Sequence, residues 1–275
     1  FNQEKLLKIF DDFGRCIPTN GDRVFGAQPS FYYKLKQPKI DYELILQRAK
    51  KYGLCSEDLS LKYFQSQATA LLESIKKNDD FYQMTKGVHI PFIYSNSKKI
   101  KDIGTNLEEE VLPTLQKSFT NRFPNSHFKA ILQSDSELKN NISIHPDSAY
   151  SNFIDDSLDG VIGWYFPQVF QEFDIDSQRA QLKKLPDLEG INLCLSGGID
   201  ISAALTSFPE LLIDKDHYTP ILCMSAYVHK DERLILLLKA YGPHMEFWCM
   251  SQMLSKKTKQ VSEQWAGGVT AYTKI

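Results

Sequence analysis

Cysteine is scarce in this chain and poorly spaced for cross-linking. Five cysteines, Cys16, Cys55, Cys194, Cys223 and Cys249, are scattered over 275 residues. No Cys-x-x-Cys pair occurs, so the spacing of a zinc ribbon is missing. An odd, scattered set is also a poor disulfide framework. Cys194, Cys223 and Cys249 sit in apolar runs, where a thiol behaves as a small buried hydrophobe. These features point to a reducing, cytoplasmic compartment. The sequence opens on Phe1 rather than Met, and a targeting segment removed upstream stays compatible with this expectation.

Long apolar runs are missing as well. Nothing approaches the ~20 apolar residues of a membrane-spanning helix, and the densest stretch, 234–238, suits a buried strand. No membrane span is therefore expected. Neither sign of charge is in surplus, with 32 Lys and Arg against 34 Asp and Glu and a formal net charge of −2. Such balance supplies no general electrostatic reason to bind nucleic acid, so none is expected as a partner. HExxH, GxSxG, the Walker A loop and GxGxxG are all absent. Internal repeats and low-complexity tracts are absent too.

What is present is ordinary globular composition, 42% hydrophobic and 24% charged, which supports a sizeable core. Asp41 is placed to cap a helix with Tyr42, Ile45, Leu46 and Ala49 on one face and Gly53 as its stop. Ser56 is read as the cap of a second helix, striped by Leu61, Phe64, Ala68, Leu71, Leu72 and Ile75. Residues 88–94 read as a strand that Pro91 demotes to an edge strand or an irregular one. Thr105 and Glu108 have capping-box spacing ahead of Leu107, Val111, Leu115 and Phe119, while Pro113 kinks or delays that helix. Residues 127–133 alternate as a half-buried strand. Further on, 191–195 read as a strand and 199–212 as a helix, and 219–228 and 233–241 as antiparallel partners. The expected class is α+β, with a helix-rich first half, a mixed sheet in the middle and an antiparallel meander near the C-terminus. We expect a single domain over 1–275, with polar, turn-rich 134–159 as the place for a boundary or a long functional loop.

The strand-to-helix turn Ser196-Gly197-Gly198-Ile199-Asp200 is the strongest functional signal. Glycines let a ligand approach the backbone, and a helix start presents free N–H groups to an anion. Ser196 and Ser202 add hydroxyls, and Asp200 adds a potential metal ligand. These residues resemble the PP-loop of ATP pyrophosphatases, whose signature is SGG, any residue, then Asp-Ser. The resemblance implies a loop that holds the pyrophosphate of ATP on a parallel sheet. It covers about seven residues; Ile201 stands in place of the signature serine, and a hairpin pattern follows instead of alternating strands and helices.

Two further groups carry weaker signals. Asp155, Asp156 and Asp159 share a polar stretch, followed by Asp174 and Asp176, and carboxylates so spaced suit Mg²⁺ or Ca²⁺. The glycine and terminal glutamate of an EF-hand are missing from their places. Asp174 also suits an N-cap, with Asp176 as a first-turn acid. Of six histidines, His145 in His145-Pro146-Asp147 suits a catalytic dyad, with Cys16, Cys55 or Cys194 as conceivable nucleophiles. Trp164-Tyr165-Phe166 and Phe247-Trp248 suit either core or an apolar pocket.

Three functions stand at this point. The first is an enzyme or binding protein that holds a small anionic ligand, such as a nucleotide phosphate, at Ser196, Gly197, Gly198, Asp200 and Ser202. The second is an interaction protein in which that turn is structural, a protein partner staying open. The third is a Cys/His or carboxylate hydrolase. The sequence assigns no catalytic residue and no cofactor.

Overall fold

The computed structural model describes residues 8–24, 32–132, 138–251, 254–255, 258–259 and 265–275. Of the polar stretch 134–159, residues 134–137 lie outside the described residues. The helices are α1 (Tyr42–Lys51), α2 (Leu61–Lys77), α3 (Ile103–Asn106), α4 (Leu112–Arg122), α5 (Tyr150–Asp156), α6 (Ile175–Leu182) and α7 (Gly198–Ser207). The strands are β1 (Ile90–Tyr94), β2 (Phe128–Leu132), β3 (Ile142–Ile144), β4 (Val161–Phe166), β5 (Asn192–Leu195), β6 (Ile221–Cys223) and β7 (Tyr227–His229). They continue with β8 (Leu234–Tyr241), β9 (His244–Ser251), β10 (Leu254–Ser255), β11 (Thr258–Lys259), β12 (Trp265–Gly267) and β13 (Val269–Lys274). The fold is α+β, with helices concentrated in the first half and antiparallel strands toward the C-terminus.

The first helices follow their apolar spacing. Asp41 accepts from the Leu44 N–H at 3.0 Å, and α1 buries Ile45, Leu46 and Ala49. Helix α2 buries Phe64, Ala68, Leu71, Leu72 and Ile75. Its cap is Ser60 rather than Ser56: Ser60 Oγ accepts from the Tyr63 N–H at 3.2 Å, while Ser56 Oγ closes a turn onto the Asp58 N–H. Both serines have the right chemistry, and the one adjoining the apolar stripe takes the position. Asp102, not Thr105, caps α3, accepting from both the N–H and the hydroxyl of Thr105. The backbone then widens into a π-turn over Leu107–Val111, just before Pro113. Proline lacks an N–H and its ring crowds the carbonyl four residues back, so a wider turn relieves the clash without breaking the helix.

Two sheets organise the rest. The first is antiparallel, in the order β1-β4-β13-β5, and Pro91 lies on its edge strand β1 as expected. Helix α2 crosses β4, where Trp164 Nε1 donates to the Ala68 carbonyl at 2.7 Å. Helix α7 packs against β1, α1 and α4, and all of its residues are buried. The second sheet is mixed, in the order β12-β6-β8-β9-β2. Its centre is the antiparallel β6-β8-β9 set, and β12 and β2 join it in parallel. Along β8, Leu236 and Leu238 belong to the main core, which runs from Phe10 to Tyr272. Ile235 and Leu237 belong to a smaller cluster with Ile175 and Cys223 on the opposite face.

The expected pairing of 219–228 with 233–241 holds for its first part. β6 pairs antiparallel with β8, with Leu222 opposite Leu238 and Cys223 opposite Leu237. The chain then leaves the sheet, because the Ala226 N–H donates to the Ser196 carbonyl and the His145 N–H to the Ala226 carbonyl. β7 thereby pairs with β3 instead.

All five cysteines are free, and Cys16, Cys194, Cys223 and Cys249 are buried while Cys55 is half-buried. Burial pushes the Cys55 thiol up to about 11 and that of Cys16 to about 12. In the native protein Cys55 should therefore react first and slowly, and the other four only after unfolding. Mass-mapped thiol labelling checks this; native labelling of Cys194 or Cys223 would contradict the packing.

Candidate functional site

Strand β5 delivers the chain to Ser196, and two glycines open α7. Protein groups press on both glycines. A Cβ on Gly197 would lie 2.5 Å from the Tyr150 ring, and one on Gly198 would lie 2.4 Å from Leu107 Cδ2. The polar groups of the turn have protein partners. The Gly197 N–H donates to Asp200 Oδ1 at 2.8 Å, and the Ile199 N–H to Tyr150 Oη at 3.3 Å. The Ser196 N–H donates to the Gly268 carbonyl at 3.0 Å.

Asp200 is fully buried. Besides Gly197, it accepts from Tyr150 Oη at 2.8 Å and from Thr270 Oγ1 at 2.5 Å. The Thr270 hydroxyl has one hydrogen, which goes to the carboxylate, so Ser196 Oγ, 3.4 Å away, donates to Thr270. Burial raises the Asp200 carboxyl from 3.8 to about 6, against the lowering effect of these donors. On either side of Asp200 in α7, Ile199 and Ser202 border a cavity of about 240 Å³, which Tyr94, Lys98 and Glu110 also line. Strand β5 is the edge of an antiparallel sheet. The parallel sheet implied by the PP-loop resemblance is thus not found among the described residues.

The acidic candidates separate. Lys274 Nζ lies 3.5 Å from Asp156 and 2.9 Å from Asp159, and Tyr272 Oη donates to Asp156 at 3.2 Å. Asp155, beside them on α5, closes a turn through its carbonyl to the Leu158 N–H. Asp174 caps α6 by accepting from the Ser177 N–H, and Arg23 pairs with both Asp174 and Asp176. Among the described residues, no group of three or more His, Cys, Asp or Glu gathers to hold a metal ion. The aromatic pairs go to the core or to the sheet surface: Trp164, Tyr165, Phe166 and Phe247 are buried, while Lys239 sits over the Trp248 ring at 4.1 Å. The buried thiols of Cys16 and Cys194 are pushed up by desolvation, which disfavours the nucleophilic thiolate.

The structure builds a more polar cleft elsewhere, between α6 and the β3–β7 ladder. It encloses about 350 Å³. His145, His229, Arg179, Asp174, Asp176 and Glu232 line it, with Met224 and Tyr227 as part of its apolar wall. Its histidines share one local design. The Asp147 N–H donates to His145 Nδ1 at 3.1 Å, and the Asp231 N–H donates to His229 Nδ1 at 2.9 Å. A backbone N–H can only donate, so each Nδ1 must accept, and each neutral ring carries its proton on Nε2. His229 is 6% exposed, and its Nε2 is buried with no hydrogen-bond partner. Burial first, and the Arg179 charge second, hold His145 below its ordinary pKa. Arg179 itself is occupied: Nε donates to the Ser225 carbonyl at 3.1 Å and NH2 to the Tyr227 carbonyl at 2.8 Å.

Sequence reasoning singled out His145 in this cleft but passed over His229, Arg179 and Glu232. A signal existed. His-x-Asp occurs twice, at His145-Pro146-Asp147 and His229-Lys230-Asp231, on segments that the fold makes neighbours. The cleft and the glycine turn are also adjoining layers. Met224 and Tyr227 line the cleft, and both lie against Gly198. No family model matches the chain, and no curated protein or solved structure matches it.

The Asp200 site yields a pH dependence. Its folded pKa is raised, so the folded state binds this proton more tightly than the unfolded chain does. The resulting stability is fully present below about 3.8 and is lost as pH rises through about 6. Asp200→Asn removes this titration. The stability of the native chain relative to that variant should rise on going from pH 7 to pH 4, by on the order of 2–3 kcal/mol at ~1.4 kcal/mol per unit. Denaturant melts of both proteins across that range measure it, and a flat or falling difference would contradict the assignment.

Proposed function

We propose that the chain binds a small polar molecule in the cleft between α6 and the β3–β7 ladder. The unpartnered, buried Nε2–H of His229 carries this reading. Leaving a buried donor unmet costs about 1–3 kcal/mol, which an acceptor atom of a ligand recovers. His145, whose Nδ1 likewise accepts a backbone N–H, lines the same cleft. The described lining residues include no Ser, Thr, Cys or Lys, so the arrangement favours hydrogen-bonded capture over a covalent intermediate at such a nucleophile.

In this reading the ligand expected at Ser196, Gly197, Gly198, Asp200 and Ser202 is held one layer away, and the turn acts as the support of the cleft. Its close contacts with Tyr150, Leu107, Tyr227 and Met224 support that role. Asp156 and Asp159 serve as counter-charges to Lys274. A main core that runs from Phe10 to Tyr272 supports a single domain, and five free thiols support a reducing compartment.

The test is thermal stabilisation by a panel of small carboxylates, amino acids, amines and phosphates, repeated on His229→Asn. Asparagine keeps an acceptor near Nδ1 for the Asp231 N–H and removes the Nε2 donor. A stabilising compound should lose about tenfold in affinity in the variant, the value of one hydrogen bond of roughly 1.4 kcal/mol. The variant should keep a cooperative melt. Equal stabilisation of both proteins, or none by any compound, would overturn the proposal.

A further inference from the structure

The charges around the cleft narrow the ligand class, and this step rests on the reading just given. Arg179 is committed to two carbonyls and lies 3.8 Å from Asp176. Arg23, outside the lining, is committed to Asp174 and Asp176, at 2.5 and 3.0 Å. Both imidazoles accept a backbone N–H at Nδ1, and the neutral ring is the form that does so. Among the described residues, the cleft therefore has no guanidinium free to clamp an anion. It has a carboxylate to spare. Two guanidinium groups face three lining carboxylates, and Glu232, exposed at the rim, has no side-chain hydrogen bond or ion pair among the described residues. Its neighbours along the chain do not supply one, because Arg233 is bound to Asp231 at 2.6 Å. The remaining wall is apolar, from Ile175, Val228, Leu234, Ile235 and Leu236.

From this arrangement we propose that the ligand is a small amine. Its protonated nitrogen meets Glu232 at the rim, its apolar body lies along the wall, and an acceptor oxygen meets the Nε2–H of His229. Amino acids and hydroxy- or carbonyl-bearing amines have this composition. A cleft of about 350 Å³ is of the size that suits a small molecule. A phosphate or an unaccompanied carboxylate would add negative charge to a cleft that already has an excess of it.

The test compares matched probes: phenylalanine with 3-phenylpropanoate, and tyramine with 4-ethylphenol, by calorimetric titration of the full chain. The amine-bearing member of each pair should bind at least tenfold more tightly. Glu232→Gln, an exposed substitution that leaves the core untouched, should erase that preference while leaving the deaminated member unchanged. His229→Asn should weaken both members. If the deaminated members bind as well or better and remain sensitive to His229→Asn, the cleft is a ligand site and the amine assignment falls. If no member of either pair binds and the wider panel also fails, the binding reading falls, and this inference with it.

Discussion

A carboxylate with no surface in water must be answered by donors, and Asp200 draws its donors from distant parts of the chain. Gly197 comes from the turn itself, Tyr150 from 50 residues earlier and Thr270 from 70 residues later. Each of these bonds ties a different element to the start of α7: the β5 turn, α5 and the C-terminal strand β13. Losing any one donor would leave charge buried with less compensation, so the three elements have one shared geometry in which Asp200 is satisfied. The two glycines follow from this arrangement. Tyr150 reaches Asp200 by passing close against Gly197, where a side chain would displace it.

The constraint propagates outward to the cleft. The Tyr150 ring meets the Tyr227 ring edge-on at 5.4 Å, and Tyr227 lines the cleft. Five residues before Tyr150 on the same segment stands His145. Between them Ala149 adopts a left-handed backbone, φ 57°, which costs a residue with a Cβ roughly 1–2 kcal/mol. Both sides of Ala149 are pinned: Ser148 Oγ donates to the His145 carbonyl at 2.6 Å and accepts from the Tyr150 N–H at 3.2 Å. The chain tolerates the strained residue because Tyr150 is fixed by Asp200 on one side and His145 by the β3–β7 ladder on the other. Satisfaction of the buried acid thus sets where one imidazole of the cleft stands.

Much of this architecture was legible in the chain, for local reasons. The stripes of α1 and α2, the Asp174 cap and the edge placement of Pro91, one of two readings open for it, depend on nearby residues. The Ser56 cap failed because two serines had equal chemistry and only packing distinguished them. The departure of β7 from β8 was not legible, since it follows from backbone bonds to Ser196 and His145, far away in sequence. The same holds for the site. The glycine turn was visible as a requirement for close approach, but what approaches is Tyr150 and Leu107, which no local pattern names. His229 looked like part of a hairpin connection. Its placement opposite Ile142 in the ladder, near the segment of His145, becomes visible only when β3 and β7 are paired.

The cleft is built to hold imidazoles as donors rather than as bases. An aspartate hydrogen-bonded to a histidine would favour the imidazolium and prepare the ring for proton transfer. Here each His-x-Asp segment separates the two functions. The backbone N–H of the aspartate binds the ring, while its carboxylate turns away to a base: Asp147 to Lys183 at 2.7 Å and Asp231 to Arg233 at 2.6 Å. Those bases hold both carboxyls below their ordinary range, Asp231 down to about 2. Protonating either ring would set an N–H at Nδ1 against the backbone N–H that now donates to it. Each ring is thus fixed by a backbone N–H at Nδ1, and the carboxylate of each His-x-Asp segment is spent on a neighbouring base. The arrangement places two fixed imidazoles and an exposed carboxylate, Glu232, around one cleft. Positioning each ring by a backbone N–H, and not by the aspartate carboxylate beside it, is what sets this arrangement apart from an Asp–His dyad.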